Sequence, residues 1–470
     1  MTETLDKSTI FARAKTTARA PAPRSPVQHA VRAAALDGDL EVIAQHMFSL
    51  MLRNVASDGF QFTDPADPSK FSRPGCVIAA PSYPAAQPGV DQDYVFNWTR
   101  DAAITAMEIA AARLPAWPGP GVQALTDYVS FASTCQDNAT PTLAHACYTI
   151  EGYSRPWTEQ ADGPALQTVA VLAAYPQLGQ PAQALAAQVI GKNLDFILGH
   201  YQEPTFNLWE EHQGYSFFAR AAQLRCLREV AANTAGITVP PGTAEAVSWL
   251  EQALRGHWDG TRYLSVLAPS DAGPVPVVTG YDPNIDIVLA AVYGGVAVTD
   301  TRLLATAAQL RFQWADPSSP VAYPVNVSDA RLGMGPLMGR YPGDTYDGDV
   351  SDPVPGGHPW ALCTAGFAEL YYQLAREVAR AQSVPHDGLS GEFFAQVGIG
   401  PGTRPDDAAS LLGNAADAML KAVVYHSDEL ELSEQFDGTA GYEKSVRDLT
   451  WSYAAFLSAV RAKTNRNVEG

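Results

Sequence analysis

The chain has 470 residues, 46% hydrophobic and 10% aromatic, which is enough apolar side chain to bury a large core and excludes disorder for its bulk. Lys and Arg number 31 against 50 Asp and Glu, and the resulting net charge of −19 argues against nucleic acid and anionic membrane surfaces, since both demand clustered cations. A neutral ligand such as carbohydrate fits that balance, although an acidic surface also serves solubility.

Residues 1–33 are rich in Ala, Pro, Thr and Arg without an apolar run, and read as a flexible arm. They lack the 7–15-residue apolar segment of a secretory signal, so a cytoplasmic location is the expectation. Beyond the arm, apolar residues recur at spacings of three and four. Leu40, Ile43, Met47, Leu50 and Met51 mark a first helix. Further helices are predicted at 101–113, 123–135, 164–175, 181–199, 215–232, 243–255, 284–293, 300–313, 359–382, 406–425 and 447–463. Period-two runs near 76–80, 274–279 and 322–327 predict accessory strands. Twelve helices and few strands suggest helix pairs stacked into a closed ring, all-α, with long loops at one end forming a pocket; residues 34–470 are expected to make one domain. The five cysteines have no CxxC spacing and read as buried thiols. No histidine pair has metal-site spacing, so neither a metal nor a cofactor is expected.

Several loops carry chemistry. In DYVFNWTRDAAI, Arg100 and Asp101 at a helix start can present a guanidinium fork and a carboxylate to hydroxyl groups, with Tyr94 and Trp98 offering apolar faces. The same stretch holds a formal glycosylation sequon, Asn97-Trp98-Thr99, where a glycan would block such a site. In FNLWEEHQGYSFF, Glu210 and Glu211 follow Trp209. A carboxylic acid beside an indole is desolvated, which favours its neutral form and suits a general acid; the pair reads equally as a solvated doublet at a helix start. GRYPGDTYDGD supplies Arg340 and Asp344 on a loop punctuated by Gly and Pro, and HPWALCT follows with Trp360. In SEQFDGTAGYEKSVRDLTWSYAAFL, Glu434 precedes a Gly-containing loop and an aromatic-rich helix that includes Trp451. Two carboxyls on separate loops, each beside aromatics, are what glycoside hydrolysis requires.

Together with CVIAAPS and DGPALQT, and in this order, these segments closely resemble glycoside hydrolase family 15, the glucoamylases. The resemblance implies a barrel of twelve helices in two layers, an (α/α)6 barrel, and removal of glucose from non-reducing ends of α-glucans with inversion. It implies that Glu210 is the general acid, Glu434 the general base and Glu211 a substrate-orienting carboxylate. It also implies that Arg100, Asp101, Arg340 and Asp344 bind the terminal sugar, with Tyr94, Trp98, Trp209, Trp360 and Trp451 around it. The chain departs from the family in four places. Tyr153-Ser154-Arg155-Pro156 stands where an indole is usual, and either Tyr153 or Trp157 could replace it. Three residues are inserted before Asp162, Asn207 stands at a position commonly Asp, and a longer VSDPVPGG segment precedes His358. Losing a negative charge at 207 is expected to shift the pH profile while leaving the chemistry in place.

No starch-binding module is recognised, so soluble dextrins are the expected substrate in preference to granules. A monomer is expected. The substrate partner is read as an α-1,4-glucan; α-1,6-glucans and trehalose are the alternatives within the family, and a carbohydrate-binding regulator without hydrolysis is the alternative outside it.

Overall fold

The computed structural model describes residues 39–82, 92–112, 120–270 and 275–468. The expected arm at 1–33 lies outside them. Fourteen α-helices occur among the described residues. Twelve are the predicted ones: α1 (Leu40–Leu52), α2 (Thr99–Ala111), α3 (Pro120–Asp137), α4 (Asp162–Ala174), α5 (Gln180–His200), α6 (Phe217–Ala232), α7 (Thr243–Arg255), α8 (Asp286–Tyr293), α9 (Thr301–Ala315), α11 (Ala361–Ala381), α13 (Pro405–His426) and α14 (Thr450–Val468). The two additions are short, α10 (Pro324–Arg331) and α12 (Gly391–Ala395).

Six helices pack into a closed inner ring in the order α2, α4, α6, α8, α11, α14 and back to α2. The others lie outside it, α1 on α14, α3 and α5 beside α2 and α4, α7 on α6, α9 on α8 and α13 on α11. Side-chain burial records the two layers. All eight residues of inner α8 are buried, whereas outer α7 buries only Thr243, Ala246, Leu250 and Leu254, one stripe at helical spacing. The fold is an (α/α)6 barrel, and no helix among the described residues is long and apolar enough to cross a membrane.

The strand expectations fare differently. Residues 322–327 enter helix α10, because Pro324 at its first turn, with its fixed φ and missing N–H, starts a helix more readily than it joins a strand. The 76–80 run forms only an isolated bridge, Val55 to Val77, and 274–279 another, Leu267 to Pro276, residue 274 lying outside the described set. The strands that do form are short antiparallel pairs: β1 (Asn97–Trp98) with β2 (Cys147–Tyr148), β4 (Gln213–Ser216) between β3 (Thr205–Phe206) and β5 (Val266–Leu267), and β6 (Gln435–Phe436) with β7 (Glu443–Lys444). All five cysteines are buried and free, as their apolar settings suggested.

Close approach within the ring is set at Gly294, which ends α8. A Cβ there would come within 2.6 Å of both Ala221 Cβ on α6 and the Ala290 carbonyl oxygen. Gly294→Val is therefore expected to destabilise the fold by about 1–3 kcal/mol through overpacking. A lowered thermal midpoint checks this, and an unchanged one would mean that α6 and α8 can move apart freely.

Candidate active site

The inner helices start at one end of the barrel, and there a pocket of about 390 Å³ opens. That volume is in the range of small-molecule sites, roughly 300–1,000 Å³. Tyr94, Trp98, Arg100, Asp101, Trp209, Glu210, Glu211, Arg340, Trp360, Glu434 and Trp451 all line it. Of the residues expected to bind sugar or act on it, only Asp344 stands behind the wall, fully buried against Arg340.

Each helix start delivers its part. Trp98 pairs with Cys147 of β2, and β1 leads directly into the first turn of α2 and its Arg100 and Asp101. Arg100 is buried; its Nη1 donates to Gln160 Oε1 at 2.9 Å and to Asp162 Oδ2, at the start of α4, at 3.0 Å. Burial pushes the Asp101 carboxyl up to about 6, against the pull of Arg100 and aided by the charge of Glu210.

Glu210 and Glu211 sit on the β3–β4 turn, so the reading of a solvated doublet at a helix start fails. Glu210 has φ +64°, a left-handed backbone that disfavours any residue with a Cβ. Asn207 explains how it is held. Its carbonyl accepts from the Glu210 amide at 3.1 Å, and its side-chain oxygen accepts from the amides of Glu211 and His212, both at 3.0 Å. The Asn207 amide group donates to the Tyr281 hydroxyl. This residue builds the turn, and its side chain makes no bond to the Glu210 carboxyl.

The two oxygens of Glu210 each accept from an indole, Oε1 from Trp98 at 2.8 Å and Oε2 from Trp157. Sequence left Tyr153 and Trp157 as rivals for this contact; Tyr153 is about half exposed, and Trp157 makes it. Glu211 is held otherwise. It accepts from the Tyr281 hydroxyl at 2.8 Å and the Tyr341 hydroxyl at 2.9 Å, and pairs with Arg340 at 3.1 Å. Arg340 in turn is bidentate to Asp344, at 2.8 and 2.6 Å, inside a box of Trp209, Tyr341, Tyr346 and Trp360 rings. Gly357 is required beneath this pair, since a Cβ there would meet the Asp344 carboxyl at 2.8 Å.

Across the pocket, Glu434 lies just before β6. Its Oε1 accepts from the Tyr94 hydroxyl at 2.9 Å and its Oε2 from the Ser445 hydroxyl. Burial pushes its carboxyl above the ordinary glutamate range, against the pull of those hydroxyls and of Arg340. Ser445, which sequence reasoning passed over, carries no signal of its own in the string of residues. Among the described lining residues, Arg100 and Arg340 face Asp93, Asp101, Glu210, Glu211 and Glu434, an excess of carboxyls that disfavours anionic ligands. Two buried donors of the wall residues, Arg100 Nε and Trp360 Nε1, have no hydrogen-bond partner within the protein.

Burial raises several carboxyls: Asp101 to about 6, Asp282 to about 7 and Asp286, beneath the site, to about 8. The folded chain keeps these protons where the unfolded chain releases them near pH 4. Unfolding thus releases protons in that window, and stability falls as pH rises from about 4 to 8. The thermal midpoint should be higher at about pH 5 than at about pH 8, and Asp286→Asn should flatten the difference; a midpoint that rises with pH would contradict the burial of these groups.

The family described as Glycosyl hydrolases family 15 matches residues 47–461. The chain is similar to a probable glucoamylase of Schizosaccharomyces pombe, 27% identical over 437 residues that cover 87% of this chain and 88% of that protein. It is also similar to glucoamylase 1 of Rhizopus oryzae, 29% identical over 402 residues that cover 79% of this chain and 65% of that protein. Its fold is similar to that of the solved glucoamylase from Saccharomycopsis fibuligera, with a TM-score of 0.74 and 22% identity over 93% of this chain and 96% of that one.

Proposed function

The chain belongs to glycosyl hydrolase family 15, and on that footing we propose that it is an exo-acting, inverting hydrolase that releases glucose from the non-reducing ends of α-1,4-glucans. The observation that carries the reading is that Glu210 and Glu434, distant in sequence, line one pocket together with the cations of two guanidinium–carboxylate pairs. Glu210 gives its proton to the glycosidic oxygen as the bond to C1 breaks. Glu434 takes a proton from the water that attacks C1 from the opposite face, so an α-linkage yields β-glucose.

Positive charge develops on the sugar ring at the transition state, and the carboxyl excess of the pocket favours it. Arg100 with Asp101, and Arg340 backed by Asp344, bind hydroxyls of the terminal glucose. The unpartnered Arg100 Nε and Trp360 Nε1 are donors that such hydroxyls satisfy. Tyr94, Trp98, Trp209 and Trp451 present ring faces to the sugar, and Glu211 orients the substrate while fixing Arg340. An α-1,4-linked substrate is favoured by the likeness to proteins named glucoamylases.

Glu210→Gln and Glu434→Gln should each lower turnover by about 10²–10⁴-fold with the fold intact, the usual size of a general acid–base step. Proton NMR of the first-formed sugar from maltotriose should show β-glucose, and α-glucose would exclude Glu434 as a base. Comparing maltose, isomaltose and trehalose tests the linkage; a preference for either of the last two would overturn the α-1,4 assignment and leave the carboxyl roles standing. Trp157→Phe removes a donor to a carboxyl and should cost about tenfold in kcat/KM, while Tyr153→Phe should change it little.

A further inference from the structure

Behind Glu434 lies a charged cluster built on the end of the GRYPGDTYDGD loop, on His358 and on strand β7. Lys444, mostly buried, places its Nζ 3.0 Å from Asp347 Oδ2 and 3.6 Å from Asp349 Oδ2. Asp347 also accepts from His358 Nε2 at 3.0 Å and from the Asp349 amide at 2.9 Å. Asp349 Oδ2 accepts from the amide of Ser445 at 2.9 Å. Ser445 has φ +63°, a left-handed conformation that costs a residue with a Cβ energy and persists only where the surroundings impose it. Its hydroxyl donates to Glu434 Oε2. Gly348 closes the other side, since a Cβ there would fall 1.9 Å from Ser445 Oγ.

An ammonium between two aspartates is more often an ordinary ion pair of little consequence. Here the second aspartate is bonded to the strained amide of the residue that touches Glu434, and that connection distinguishes the cluster. We propose that Lys444 and Asp349 are positioning residues for the general base: the ammonium holds Asp349 in place, Asp349 holds Ser445 in its left-handed turn, and Ser445 aims its hydroxyl at Glu434. The proposal rests on Glu434 being the base.

Without Lys444, the Asp347 and Asp349 carboxylates repel one another, Asp349 swings toward solvent, and the Ser445 amide loses its acceptor. The turn relaxes and Glu434 loses the Ser445 donor, keeping the tyrosine hydroxyls. A carboxylate with fewer donors takes up a proton more readily, so the base is lost to protonation at higher pH. The other groups facing Glu434 are Tyr94, Tyr346, Arg340 and Cys363, of which only Tyr346 also touches Ser445. Arg100 and Arg340, which hold the sugar, are untouched.

The test starts from glucose release by the wild type on maltotriose and its loss in Glu434→Gln; retained turnover in Glu434→Gln would sink the functional reading itself. With that reference in hand, Lys444→Met should lower kcat about tenfold with KM nearly unchanged. The acid limb of its pH–rate profile should move up by about one unit. Lys444→Arg should restore both. Ser445→Ala should show the same limb shift, and adding Lys444→Met to it should move the limb no further. If Lys444→Met folds poorly, Asp349→Ala carries the same comparison. A variant that loses thermal stability while its acid limb and kcat stay in place would reduce the cluster to a structural ion pair, and limb shifts that add in the double variant would break the proposed chain through Ser445.

Discussion

The six inner helices all begin at the same end of the ring, and the pocket follows from that constraint. The start of a helix carries about half a unit of positive charge and free amide donors. Carboxyls gathered at such an end cost less to bury than carboxyls elsewhere in a core. Asp101 in the first turn of α2, Asp162 opening α4 and Asp286 opening α8 occupy these positions. Closing the ring between α14 and α2 brings the loop that carries Glu434 opposite the one that carries Glu210. The site is thus a consequence of barrel closure, and no single loop could build it alone.

In and behind the pocket wall, five carboxyls fall into two groups by the kind of donor they accept from. Asp162, Asp344 and Glu211 are bonded to guanidinium groups and hold the arginines in place. Glu210 and Glu434 are bonded instead to neutral donors, two indoles for one and two hydroxyls for the other. Neutral donors orient a carboxyl without pinning its charge, which leaves it free to give or take a proton. The proposed division of labour between binding and proton transfer follows this choice of partners.

The helices were legible because burial imposes a period that survives in the sequence, as the stripe on α7 illustrates. The strands were not, since arms of two residues such as β1 and β6 are set by what lies across from them and leave no period. The run at 322–327 misled for a different reason: alternation of apolar residues around Pro324 looks extended until the proline is placed at a helix start. Pocket residues were legible through motif order. Asn207, Trp157 and Ser445 were missed or left open because each acts through a contact made by folding. The left-handed backbone at Glu210 and Ser445 belongs to residues that rarely adopt it, so no composition rule could have signalled it.

Where the chain departs from the family pattern, the structure fills the gap from a neighbouring position. The insertion before Asp162 brings Trp157 to Glu210, and the lengthened segment before His358 supplies Gly357 beneath Asp344. Both departures lie at the rim or behind a carboxyl, while Arg100, Asp101, Arg340 and Trp451 form walls that the insertions do not enter. Under the proposed exo action, a terminal sugar meets those walls and the sugar beyond the scissile bond meets the rim. Trp157 is about half exposed there and stacks on Arg155, which is itself paired to Asp93. On that proposal linkage selectivity comes from this rim, because α-1,4, α-1,6 and α,α-1,1 substrates present the same terminal glucose and differ only in where the next ring is directed.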